Sequence, residues 1–116
     1  MNKPLGPYSP VVRAGDFVIV SGQVGMRDGQ LVDGGVAAQT TQAIANIAER
    51  LSEVGASLTD VVKTLCFLTD IDDFTTFNDA YVEAFEGHRP ARSTVAVAGL
   101  PASAAVEVEA WAFTPQ

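Results

Sequence analysis

The 116-residue sequence contains one cysteine, Cys66, and one histidine, His88. A lone thiol cannot close an intrachain disulfide, and so small a stock assembles neither a multi-cysteine zinc site nor a histidine-based metal centre. Basic residues are scarce as well. Seven Lys plus Arg against fourteen Asp plus Glu leave a net charge of -7. Binding to phosphate backbones needs clustered Lys and Arg, so nucleic acid is not an expected partner. No apolar run approaches the roughly 20 residues that cross a bilayer, and no membrane partner is expected. The opening Met1-Asn2-Lys3-Pro4 carries no apolar signal core, so a cytoplasmic protein is expected. The chain is also short: one domain, 1–116, with one core and little room for a deep private cavity. With 47% hydrophobic and 18% charged residues, it is expected to be globular rather than disordered.

The chain's periodicity starts at two residues and then changes. Val11-Val12-Arg13 and Phe17-Val18-Ile19-Val20-Ser21 flank the turn-prone Ala14-Gly15-Asp16 and predict a β-hairpin. Asp28-Gly29 predicts a second turn between Val24 and Leu31-Val32. From Val36 to Val54 the apolar residues Ile44, Ile47, Ala48, Leu51 and Val54 recur at helical spacing, with Glu49, Arg50, Ser52 and Glu53 on other faces. This predicts an amphipathic helix of about five turns, closed by Gly55. Val61 to Thr69, rich in β-branched and aromatic residues, predicts a buried strand. Asp70 to Asp73 offer N-capping carboxylates for a second helix with the stripe Phe74, Phe77, Tyr81 and Phe85, stopped at Gly87. Strands at Arg92–Ala98 and Ala105–Phe113 follow, split by Gly99-Leu100-Pro101. The order predicts an α+β sandwich with both helices on one face of a single sheet.

Two helices cover only one face, so the residues of the other face are informative. Alternation in the last strand puts Val106, Val108, Ala110 and Ala112 on one side and Glu107, Glu109, Trp111 and Phe113 on the other. Carboxylates mixed with a Trp and a Phe predict a subunit interface, the alternative being a solvated face. Arg92 opens its strand just after Pro90-Ala91, with Thr94 pointing the same way. Its guanidinium fork suits a carboxylate ligand, the alternative being a structural salt bridge to Glu107 or Glu109. Asn78 interrupts the aromatic stripe of the second helix, either as a buried amide satisfied by backbone or as a ligand contact.

Several short blocks, in order, carry a family resemblance. Gly6-Pro7-Tyr8-Ser9, Ser21-Gly22-Gln23, Asp60-Val61-Val62-Lys63-Thr64, Phe67-Leu68-Thr69-Asp70, Pro90-Ala91-Arg92-Ser93 and Val106-Glu107-Val108-Glu109-Ala110 span nearly the whole chain. Together they resemble the RidA family, also called YjgF or reactive intermediate deaminases. The resemblance implies a chorismate-mutase-like fold with one mixed sheet, assembled as a homotrimer with clefts between subunits. It implies hydrolysis of enamines and imines such as 2-aminoacrylate and 2-iminobutanoate to 2-oxo acids and ammonia, with no metal or organic cofactor. The family's carboxylate-binding Arg falls on Arg92 and its water-orienting Glu on Glu107. Tyr8, the backbone at Ser21 and Gly22, and Asn78 fall on positions around the same cleft, and Thr94 on a mainly backbone contact. Many members carry Cys where Thr94 stands. Pro10 and the uncharged loop 99–103 depart from the pattern as well, which bears on substrate preference.

The implied roles are physically coherent. Bidentate pairing of a 2-imino acid's carboxylate with Arg92 fixes the plane of its electrophilic carbon, and Glu107 then holds or deprotonates the attacking water. Free imines hydrolyse readily, so no large rate factor is required. A non-catalytic regulator that binds a small carboxylate in the same cleft is the alternative. RNA cleavage or translation inhibition, attached to some relatives, runs against the net charge.

Overall fold

The computed structural model describes residues 2–116, leaving only Met1 of the N-terminal stretch outside. Among the described residues the elements run β1 (Val11–Ala14), β2 (Phe17–Val24), β3 (Met26–Arg27), β4 (Gln30–Leu31), α1 (Gly35–Ser52), β5 (Val61–Leu68), α2 (Phe74–Ala84), β6 (Ala91–Ala96) and β7 (Val106–Phe113). Five strands form one sheet in the order β1-β2-β7-β5-β6, while β3 and β4 form a separate ribbon. The sheet is mixed: β5 and β6, joined through α2, are parallel, and the other neighbours are antiparallel.

The layered arrangement follows from strand alternation. Val106, Val108, Ala110 and Ala112 of β7 are fully buried, with Val18 and Val20 of β2 and Cys66 and Leu68 of β5. Against them pack Ile44, Ile47 and Leu51 of α1 and Phe77, Tyr81 and Phe85 of α2 or its end. Each large aliphatic side chain buried this way contributes about 1.5–3 kcal/mol. Both helices therefore lie on one face of the sheet, as the sequence predicts.

Some expectations are corrected. The first helix ends at Ser52 rather than Val54, where the last turn tightens: Val54 N–H donates to the Leu51 carbonyl at 3.1 Å. Gly55 then takes a φ of 76°, a left-handed geometry that a side chain disfavours. Arg50 was expected on the polar face, yet it is 8% exposed. Its guanidinium donates to the Asn2 carbonyl and pairs with Glu53 Oε1 at 3.5 Å, tying the N-terminal segment to α1. Phe74 belongs to the predicted apolar stripe but, as the first residue of α2, is 39% exposed. The capping carboxylate is Asp70, which accepts from Asp72 N–H at 2.9 Å; it opens a short 3₁₀ turn, Ile71–Asp73, that feeds α2. β6 stops at Ala96 and β7 starts at Val106, each shorter than the sequence suggests.

Candidate functional site

The open face of the sheet holds Glu107, next to Val24 of β2 and Phe67 of β5 in register. β2 bulges between Val20 and Gln23, lifting Ser21 and Gly22 out of the ladder. Gly22 is required by space: a Cβ there would lie 2.6 Å from both Cδ and Oε2 of Glu107. Ser21 anchors the N-terminal segment, its hydroxyl donating to the Ser9 carbonyl at 2.7 Å and its N–H to the Pro10 carbonyl at 2.9 Å. Tyr8 is held beside them and accepts from Leu5 N–H at 3.1 Å. Tyr8, Ser21, Gly22 and Glu107 thus share one cavity of about 380 Å³, which Glu109 also lines. Burial, and secondarily the neighbouring Glu109 carboxylate, raise the Glu107 pKa above the ordinary carboxylate value. A more basic carboxylate is a better proton acceptor.

Arg92 sits elsewhere. It pairs in register with Thr64, whose side chain faces α2. Its guanidinium lies 4.9 Å from the Tyr81 ring centroid, 5.2 Å from Phe77 and 5.6 Å from Phe74. The three rings hold the cation by cation–π attraction and leave its N–H fork unspent. Tyr81 is itself fixed by a 2.7 Å hydrogen bond to the Thr64 hydroxyl. The alternative of a salt bridge to Glu107 or Glu109 is not realised: the described residues form only the Arg50–Glu53 pair. Asn78 lines the same cavity, of about 360 Å³. Its buried Oδ1 has no hydrogen-bond partner, so the reading of an amide satisfied by backbone fails too. The Thr94 hydroxyl, two residues beyond Arg92, is buried beside the Cys66 thiol, its register partner on β5, and lies outside that cavity. A buried polar atom without a partner costs about 1–3 kcal/mol, so Asn78 is kept against a cost in stability.

The seven predicted residues therefore form two groups rather than one. Tyr8, Ser21, Gly22 and Glu107 share the first cavity; Asn78 and Arg92 share the second, with Thr94 behind them. Arg92 and Glu107 lie on opposite faces, two strands and three residue levels apart. At ordinary strand spacing and rise that separates their Cα atoms by roughly 14 Å. A small imino acid cannot bridge it.

The sequence profile of a family described as Endoribonuclease L-PSP matches residues 1–114. The chain belongs to this family, the RidA/YjgF family. A RutC family protein of Pyrococcus abyssi is 42% identical over 96% of this chain and 89% of its own. A human protein named 2-iminobutanoate/2-iminopropanoate deaminase is 44% identical over 94% and 81%. Among solved structures, the YjgF gene product of E. coli superposes with a TM-score of 0.89 at 37% identity, covering 95% of this chain and 90% of that one. E. coli TdcF, solved with bound serine, gives 0.89 at 34% identity over 95% and 90%.

Within this RidA-family chain, sequence reasoning missed two contributors. Phe74, Phe77 and Tyr81 were assigned to the core, whereas their rings also hold Arg92. The hint was an Arg followed at strand spacing by Thr94, facing an aromatic helix. Glu109 is expected at the interface or as a salt-bridge partner of Arg92; instead it lines the Glu107 cavity, accepts from Trp111 Nε1 at 3.0 Å and perturbs Glu107.

Proposed function

We propose that this protein hydrolyses 2-imino acids and their enamine tautomers to 2-oxo acids and ammonia, in a site completed between two copies of the chain. The reading rests on one observation above all: an unpaired Arg92 sharing a cavity with Asn78 on one face, and Glu107 lining a second cavity on the other. The names of the relatives support the same chemistry.

In this reading Arg92 receives the substrate carboxylate through two charge-assisted hydrogen bonds, which fixes the plane of the C=N carbon. Asn78, which lines the cavity beside Arg92, orients the imine nitrogen through its amide. Glu107 of a neighbouring copy takes a proton from water as its oxygen bonds to that carbon. Glu107 returns that proton to the nitrogen to give a carbinolamine, then carries the hydroxyl proton to the amine as the C–N bond breaks, so that ammonia leaves and the oxygen remains as the ketone. Tyr8, with the backbone at Ser21 and Gly22, walls the Glu107 side. The exposed aromatic residues of the open face, Trp111 at 38% and Phe113 at 43%, suit burial in a homotrimer with three such clefts.

Complementation tests both the chemistry and its location. Arg92→Ala and Glu107→Ala are each expected to abolish 2-oxo acid formation. Co-assembled in equal amounts, they should restore about a quarter of wild-type activity, because one cleft in four in a closed ring receives both intact residues. No recovery on mixing would overturn the shared site. A second reading, a regulator that binds an amino or imino acid without turnover, is favoured by the relative solved with serine. It predicts carboxylate binding that survives Glu107→Ala and no ammonia release by the wild type.

A further inference from the structure

We propose that Arg89 is a second anion-binding side chain of the Arg92 cavity and selects imines that carry a second carboxylate, the 2-imino dicarboxylates. The inference rests on the deaminase reading and names its substrate class. Two of the chain's seven basic residues line one cavity of about 360 Å³, and no carboxylate lines it with them. In a chain of net charge -7, that convergence is unusual. Neither guanidinium forms an ion pair or a hydrogen bond with a described residue. Arg92 is at least held by aromatic rings; Arg89 has no counterpart of that kind. One substrate carboxylate satisfies Arg92 and leaves a second cation facing the same space.

The backbone places Arg89 firmly. Glu86 and Gly87 take φ values of 52° and 88° and stop α2, with Gly87 N–H donating to the Val82 carbonyl at 3.2 Å. His88 is then fixed twice: its N–H donates to the Phe85 carbonyl at 3.0 Å, and its Nε2 lies 2.7 Å from the Val61 carbonyl. On the other side Pro90 confines Arg89 to extended backbone before β6 begins. Arg89 is thus carried between two pinned residues at the mouth of the cavity, with Arg92 deeper. A 2-imino dicarboxylate carries the complementary charges: a carboxylate next to the C=N carbon for Arg92, and one at the far end of a short chain for Arg89. The second carboxylate is a spectator in the hydrolysis. Water adds at the imine carbon and ammonia leaves as before, so Arg89 acts through binding and orientation.

The test compares imines made in situ from alanine and from aspartate by the corresponding oxidases, following their hydrolysis in wild type and Arg89→Gln. The wild type should show a kcat/KM at least tenfold higher for the dicarboxylate, and Arg89→Gln should lower that ratio at least tenfold, the loss of one charge-assisted contact. A wild-type preference for the monocarboxylate, or an unchanged ratio in the variant, overturns the proposal. Equal losses on both substrates would assign Arg89 to assembly and overturn it too. If the wild type hydrolyses neither imine, the deaminase reading has failed, and calorimetry with pyruvate and oxaloacetate decides the question of Arg89 alone. Preferential oxaloacetate binding that Arg89→Gln removes would sustain it; equal binding of both acids would sink it.

Discussion

Gly22 packs directly against Glu107: a single methyl on Gly22 would lie 2.6 Å from the Glu107 carboxylate. The bulge in β2 brings the two together, and glycine is the residue type that leaves the carboxylate where it is. Gly22 is not in the left-handed region, so backbone conformation does not demand glycine. Gly22→Ala should therefore act through Glu107 and not through the fold. We expect kcat/KM for imine hydrolysis to drop about 10- to 100-fold, in the range that a small misplacement of a reacting group costs. The melting temperature should move by no more than a few degrees. Full activity in Gly22→Ala would show that the position of Glu107 does not matter to turnover.

The raised pKa of Glu107 gives a pH test. Burial is the larger cause and Glu109 the smaller, and both disfavour the ionised form. The acid limb of kcat/KM should therefore have its midpoint above the ordinary glutamate value, and Glu109→Gln should move it to lower pH. The linked stability effect has the opposite sense to a salt-bridged acid. A carboxyl group with a higher pKa in the folded state binds its proton more tightly there, so stability falls as pH rises from the unfolded to the folded pKa. Glu107→Gln should then melt higher than wild type at pH 7 and close to it below pH 4, while losing turnover. An acid limb that does not move in Glu109→Gln would remove the coupling.

Cys66 provides a check on the buried side of the site. Its thiol is fully buried and its pKa is pushed up to about 11 by desolvation, against the smaller opposing effects of Thr64, Arg92, Thr94 and Lys63. It donates to Thr64 Oγ1 at 3.8 Å, so it belongs to the chain of groups that ends at Tyr81 and Arg92. The native protein should resist iodoacetamide at pH 8 and label fully in denaturant. Cys66→Ser, which keeps a donor for Thr64, should retain turnover within a few-fold. Rapid native labelling would mean that the α2 face opens in solution.

How much of this was legible in the sequence depends on the range of the interactions. The core face of β7 could be read directly because alternation is local: Val106, Val108, Ala110 and Ala112 are buried as the pattern requires. Arg50 could not, because what buries it is the carbonyl of Asn2, 48 residues away. Asn78 stood out as a polar residue in an apolar stripe, but its lack of a partner is a fact of packing. The resemblance named Arg92 and Glu107; only the register of β6, β5 and β7 put them on opposite faces. Phe74 misled because helical spacing marks a side of α2 and does not say how deeply each turn is covered.

The open face yields the last prediction. Phe17 contacts Trp111 and Phe113 edge to face, with centroids 6.2 Å apart for Trp111 and 5.2 Å for Phe113, and all three are partly exposed. Val12 and Val95 add to the exposed apolar surface at 46% and 49%. Contiguous aromatic surface of this kind is costly to leave in water, and its burial between copies is what would bring Glu107 to a neighbour's Arg92. Trp111→Glu places a charge in that surface and should shift the solution mass by light scattering from trimer towards monomer. Turnover should fall with it, because each copy then holds only half of a site. Wild-type Trp111 fluorescence should be blue-shifted relative to Trp111 in a dissociated, still folded variant such as Phe113→Glu. A monomeric wild type, or a monomeric Trp111→Glu with full activity, would contradict the shared cleft and require that Arg92 and Glu107 work apart.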